Sequence, residues 1–150
     1  ETLMVAYSFA PVFAPQVAAL TKRQTVRADR KRHARPGEHV QLYAGMRTIY
    51  CRKLVPIDPT CSLVTPIVIE TSATADEIVQ RIEVSGIPLY GGEIEMFARN
   101  DGFAVEHFGD DRFPHTGRRA TARWNMGRFW EKTHGLGLFA GVLIMWEPVA

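Results

Sequence analysis

The sequence predicts an α+β fold: a mixed, mostly antiparallel sheet of about six strands that closes on itself as a barrel, with two or three short flanking helices. Three observations carry this expectation. Apolar and polar residues alternate with period two in several separate stretches. These stretches follow one another with only Gly and Pro turn signals between them. Helical periodicity is confined to short segments. A chain of 150 residues that is 46% hydrophobic and 23% charged is large enough to bury a core without disulfide or metal staples. It carries no internal repeat and no low-complexity linker, so residues 1–150 are expected to form a single domain.

The elements follow in order. Met4 to Phe9 alternates and suits a first strand. Val12, Phe13, Val17 and Leu20 form a helical stripe across Pro11 to Thr21, with both prolines near the helix start. Thr25 to Arg27 is a short extended piece. Asp29 to Glu38 is polar, basic and closed by Pro36-Gly37, which marks a loop. His39 to Ala44 alternates as a half-buried strand, and Gly45 turns the chain into a second strand over Arg47 to Val55. Cys61 to Glu70 and Glu77 to Ser85 are two further strands, with Pro66 marking an edge or bulge. Gly91-Gly92 opens a helix over Glu93 to Asn100, which Asp101-Gly102 ends with a left-handed cap. Phe103 to Arg123 is a helical turn followed by a loop. Trp124 to Thr133 is a helix ended by Gly135. Phe139 to Trp146 is a continuous apolar strand.

Net charge is only +2, yet it is unevenly distributed. Between Lys22 and Lys53 stand ten Lys/Arg and two Asp/Glu, leaving eight Lys/Arg and fourteen Asp/Glu elsewhere. A block of this kind makes either a basic face for an anionic partner or a solvated surface. Two cysteines, Cys51 and Cys61, are too few for a disulfide framework or a zinc set. They are expected to be buried, reduced thiols of a cytoplasmic protein. The five histidines show no metal spacing, so neither a metal nor another cofactor is expected. The longest apolar run, Phe139 to Trp146, is too short to span a bilayer. Nothing at the N-terminus has the pattern of a signal peptide, and Glu1-Thr2-Leu3 has the look of an expression remnant.

The chemistry-bearing residues begin at Lys22-Arg23-Gln24-Thr25-Val26-Arg27. Fully extended, the segment puts Lys22 and Gln24 on one side and Arg23, Thr25 and Arg27 on the other, so a twist or bulge is needed to bring Lys22 and Thr25 together. A lysine beside a threonine hydroxyl binds an anion, or accepts the hydroxyl proton and turns Thr25 into a nucleophile. The plainer alternative is an exposed basic strand. Asp101 either pairs with Lys22 and moves protons or caps local backbone. Arg27, Arg30, Lys31, Arg32 and Arg35 are candidate phosphate contacts, and Arg47, after a turn, is another. Tyr43, Tyr50, Phe103 and the tryptophans are candidate stacking platforms.

The order of these features resembles the ASCH domain family. Phe9, a short helix, Lys22-x-x-Thr25-x-Arg27, Pro36-Gly37-Glu38 and a strand are similar to its opening. That pattern has glycine where Leu20 stands, threonine where Arg23 stands and aspartate where Glu38 stands. Phe97-Ala98-x-x-Asp101-Gly102-Phe103, Phe129-Trp130 and Phe139-x-Gly141-Val142-Leu143-Ile144-x-Trp146 resemble its second half. Gly109 to Ala122 stands out as an insertion.

The resemblance implies a PUA-like β-barrel with a cleft beside Lys22 to Arg27, and RNA or a modified nucleotide as partner. It also implies an alternative. A branch of the family removes the acyl group from N4-acetylcytidine with a Lys, a Thr and an acidic residue, which here are Lys22, Thr25 and Asp101. Asp101 is one methylene shorter than the usual glutamate. A third expectation, ribonuclease, draws on His33 or His39 as general base.

Overall fold

A parallel strand pair organises the first part of the chain. The computed structural model describes residues 4–74, 76–108 and 121–149. The expected expression remnant, and the expected insertion apart from Thr121 and Ala122, lie outside the described residues. The chain divides into two compact units, Glu1–Thr65 with Val142–Ala150, and Pro66–Gly141.

In the first unit, β1 (Val5–Phe9) pairs in parallel with β3 (Val40–Ala44), in register from Val5 opposite Val40 to Phe9 opposite Ala44. Parallel strands cannot be joined by a hairpin. The connection carries α1 (Ala14–Ala18), β2 (Gln24–Ala28) and the basic loop. β4 (Arg52–Lys53) pairs antiparallel with β3. Alternation buries Val5, Tyr7 and Phe9 from β1 and Val40 and Leu42 from β3. The Phe9 ring meets Trp146 edge-on, with centroids 5.9 Å apart.

In the second unit, β6 (Val79–Val84) pairs antiparallel with the Ile67–Thr71 part of β5 (Thr60–Thr71) and with β7 (Ile87–Pro88). Ser85 and Gly86 both have positive φ, as a tight hairpin turn requires. Pro66 sits one residue before the paired stretch and still accepts a bond from the Ser85 N–H at 2.9 Å.

α2 (Gly91–Ala98) runs into a π-helical turn, Arg99–Phe103, before α3 (Val105–Phe108). Gly102 is left-handed as expected, at φ 99°, and its non-helical backbone interrupts the helical run at a kink. α4 (Ala122–His134) is capped by Thr121, whose hydroxyl accepts from the Trp124 N–H, and ends at Gly135 with φ 78°. The Glu95 carboxylate accepts the N–H groups of Ala122 and Arg123, placing negative charge at the start of α4. β8 (Gly137–Glu147) follows.

The architecture is mixed α+β. Its strands form sheets of order β1-β3-β4 and β2-β8-β5-β6-β7. Among the described residues neither sheet closes into the expected barrel, and eight strands are present rather than about six. A physical reason lies in residues 47–51, the first part of the strand expected over Arg47 to Val55. Thr48 Oγ donates to the Gly45 carbonyl at 2.6 Å and accepts the Tyr50 N–H at 3.1 Å. Gly45 and Arg47 have φ of 65° and 67°. These local bonds fold the segment into turns and leave β4 only two residues. No helix among the described residues is long and apolar enough to cross a membrane.

A Cβ at Gly127, in α4, would stand 2.8 Å from the Ile78 Cβ. Alanine favours a helix over glycine by about 1 kcal/mol, but overpacking costs about 1–3 kcal/mol. Gly127→Ala is therefore expected to lower stability, read as a lower urea midpoint.

Candidate functional site

The chain leaves α1 through a Schellman turn. The Leu20 N–H bonds the Val17 carbonyl and the Thr21 N–H bonds the Gln16 carbonyl, both at 3.0 Å. Leu20 is the left-handed residue of this motif, at φ 60°. This is the position where the resembled pattern has glycine. The Lys22 N–H also bonds the Gln16 carbonyl, at 3.1 Å. The turn folds Lys22 back over the start of α1, where its Nζ lies 4.9 Å from the Phe13 ring centroid and 5.9 Å from that of Phe9.

Lys22 is only 3% exposed and Thr25 only 5%. This segment is therefore not the exposed basic strand of the plainer expectation. Arg27 is half-buried and holds the site together: its Nε donates to Thr25 Oγ at 3.0 Å and its Nη2 donates to the Ser8 carbonyl at 2.7 Å. Its guanidinium lies 4.9 Å from the Phe9 centroid. Two cations thus flank one phenylalanine, a placement that aromatic faces make tolerable.

Ser8 and Phe9 line a cleft of about 600 Å³ in the first unit. α1 and its lead-in supply Ala10, Pro11 and Ala14. The turn after β3 supplies Gly45, Met46, Thr48 and Tyr50, and β4 supplies Arg52. The Met46 N–H bonds Ser8 Oγ at 3.3 Å, and the Cys51 N–H bonds the Thr48 carbonyl at 3.2 Å, so the turn is held from both sides.

The remaining basic residues divide sharply. Arg32 pairs with Glu38 at 2.7 Å, Lys53 with Asp58 at 2.8 Å and Arg23 with Glu147 at 3.0 Å. Hydrogen bonds from the Arg35 N–H and from Arg32 hold the Glu38 carboxyl below its ordinary pKa. Arg30 donates to the Arg32 carbonyl at 2.8 Å and lies over Tyr7. Lys31, Arg35, Arg47 and Arg52 are exposed. Arg52 was not singled out from the sequence. Its signal was present, a cation next to a turn on a short strand, but Lys53 beside it carries the same signal and is consumed by Asp58.

Of the expected stacking platforms, Phe103 and the three tryptophans are core residues and Tyr43 is half-buried. Tyr50, 77% exposed and on the cleft wall, is the one that remains. Asp101 belongs to the second unit, buried in its π turn. Beside that turn Asn125 donates to the Phe103 carbonyl at 3.1 Å. Cys61 is buried and desolvation raises its pKa, but Cys51, expected to be buried, is exposed because the turns replace the expected strand. His33 bonds the Tyr7 hydroxyl at 3.1 Å and the Ala28 carbonyl at 3.0 Å, and His39 lies 3.3 Å from the Asp58 carbonyl. Among the described residues no group of three or more His, Cys, Asp or Glu is placed to hold a metal.

Compared with family models, with curated proteins and with solved structures, the chain gives no significant match.

Two predictions follow from this geometry. Leu20→Gly removes a left-handed side-chain clash of about 1–2 kcal/mol and is expected to raise stability by about 1 kcal/mol in urea denaturation. Burial is the main cause that lowers the His33 pKa below its ordinary 6.5. The unfolded chain then binds the proton more readily. The stability this histidine contributes is complete above about pH 6.5 and is lost as pH falls through its lower folded value. Between pH 7.5 and 5.5, His33→Gln is expected to lose less stability than the parent; an equal loss assigns the effect to other groups, such as His134, which burial also lowers.

Proposed function

We propose that this chain is a nucleotide- or RNA-binding module related to the ASCH domains, PUA-like in ancestry and cytoplasmic. The observation that carries the reading is the cleft floored by Ser8 and Phe9, with the Lys22 and Arg27 cations against the Phe9 ring. An apolar slot of this volume is of ligand-binding size. The exposed Tyr50 offers a face to a base, and the Arg52 side chain lines the same cleft. Lys31, Arg35, Arg47 and Arg52 are available to phosphates. The free thiols Cys51 and Cys61 suit a reducing compartment.

A second reading, an amidohydrolase acting on N4-acylated cytosine nucleosides, is favoured by the burial of Lys22, Thr25 and Asp101. Buried ionisable groups are costly and concentrate at functional sites. In this reading Thr25 Oγ attacks the acyl carbon as Lys22 accepts its proton, a loss the Arg27 bond to Thr25 Oγ eases. The tetrahedral intermediate then breaks its C–N bond as Lys22 returns the proton to the departing N4 amine, and water hydrolyses the acyl-threonine to free acid and Thr25. Asp101, in its own unit, is tested separately through Asp101→Asn.

With three or four single-strand phosphates engaged, raising salt from 50 to 200 mM is expected to weaken oligoribonucleotide binding about 20- to 50-fold. Fluorescence anisotropy checks this, and a flat salt response removes the phosphate role. Incubation with N4-acetylcytidine checks the second reading. Release of cytidine that disappears in Lys22→Met, with the circular dichroism spectrum retained, supports it; no release from the parent chain removes it.

A further inference from the structure

The cleft is lined by unlike groups. Its wall is apolar, formed by Phe9, Ala10, Pro11, Ala14, Ala44 and Met46. At one margin stands Arg52, exposed and with no hydrogen bond or ion pair among the described residues. β-Strand alternation explains why. Arg52 and Lys53 are consecutive in β4 and point to opposite faces. Lys53 is taken by Asp58, and the bond raises its pKa. Arg52, opposite Ala44 in the ladder, is left beside the cleft.

The segment that delivers Arg52 is preorganised. A Cβ on Gly45 would stand 3.0 Å from the Tyr50 carbonyl oxygen, so the two backbones are in close approach. The Thr48 hydroxyl bridges them, donating to Gly45 and accepting from Tyr50. Arg47 occupies a left-handed position that ordinarily favours glycine or asparagine. Such strain in a tight turn concentrates at ligand contacts. The turn thereby presents an exposed tyrosine ring and a guanidinium two residues apart, on the wall of one cleft.

We propose that the cleft takes the phosphorylated form of its ligand: a nucleoside 5′-monophosphate unit, with the base against Tyr50 and the apolar wall and the phosphate on Arg52. This rests on the reading of the cleft as a nucleotide site and deepens it. An apolar slot alone binds nucleoside and nucleotide alike. A guanidinium at its margin separates them, because its fork matches two phosphate oxygens. The unit comes either from a free mononucleotide or from a residue within RNA.

Isothermal titration of the chain with cytidine, adenosine, their 5′-monophosphates, inorganic phosphate and a short oligoribonucleotide tests this. The parent is expected to bind a monophosphate at least about tenfold more tightly than the matching nucleoside. Arg52→Ala is expected to abolish that preference by weakening the monophosphate far more than the nucleoside, while Arg52→Lys keeps part of it. If only the oligonucleotide binds, Arg52→Ala is expected to reduce the slope of log affinity against log salt by about 0.7, which assigns the phosphate to RNA. Equal affinity for nucleoside and monophosphate, or a preference or slope that survives Arg52→Ala, overturns the proposal while leaving the cleft a nucleoside site. Tyr50→Ala serves as the control for the cleft itself, since it weakens nucleoside and nucleotide by the same factor. Absence of binding by every probe overturns both the proposal and the reading beneath it.

Discussion

The parallel pairing of β1 with β3 is the constraint on which the first unit depends. Two parallel neighbours need a crossover, and residues 10–39 must leave the end of one strand and return to the start of the other. That excursion carries α1, the Schellman turn at Leu20 and β2. It places Lys22 and Arg27 against the Phe9 ring and ties Arg27 to the Ser8 carbonyl. The same pairing leaves the carboxyl ends of β1 and β3 side by side, Phe9 opposite Ala44. The cleft opens there, where a crossover connection and a turn diverge from adjacent strands, a recurrent place for ligand sites in sheets with parallel strands.

Charge is distributed by partners rather than by count. The basic block looks uniform as a run of letters, but Glu38, Asp58 and Glu147 each hold one of its cations. The exposed pair of Arg23 with Glu147 contributes little, since solvent screens both groups. Glu38 does more, because it also accepts the Arg35 N–H and so closes the Pro36-Gly37 turn. Lys22 and Arg27 are drawn inward, where aromatic faces offset part of their desolvation. What is left to meet an anion is a smaller set, Lys31, Arg35, Arg47 and Arg52, of which Arg52 alone lines the cleft.

The second unit is built by close packing and backbone satisfaction. Gly127 lets α4 approach Ile78. Arg123 spans from α4 to the Val79 carbonyl, and Glu95 from α2 caps the first turn of α4. Phe103, Phe108 and Phe129 form a tilted aromatic cluster, with Phe103 and Phe108 5.2 Å apart. Asp101 is buried in the π turn beside this cluster, in the same run as the left-handed Gly102.

Much of the fold was legible in the sequence. Period-two alternation located β1 and β3 to within about one residue, because a half-buried strand alternates. The strands expected over Cys61 to Glu70 and Glu77 to Ser85 match β5 and β6 to within about two residues. Gly135 marked the end of α4, since a left-handed cap disfavours a Cβ. The expected strand over Arg47 to Val55 failed because one hydroxyl, Thr48, offered the backbone better local partners than a ladder did. Lys22, Thr25 and Asp101 were nominated from spacing and resemblance, and all three are buried. By itself the sequence determined the α+β class and most of the strand and helix segments, since these follow from local periodicity. Only the tertiary structure decided the open sheets, the cleft and which cation of the basic block lines it. Those depend on strand pairing and on which cation finds a carboxylate, and such contacts between distant residues leave no trace in local spacing.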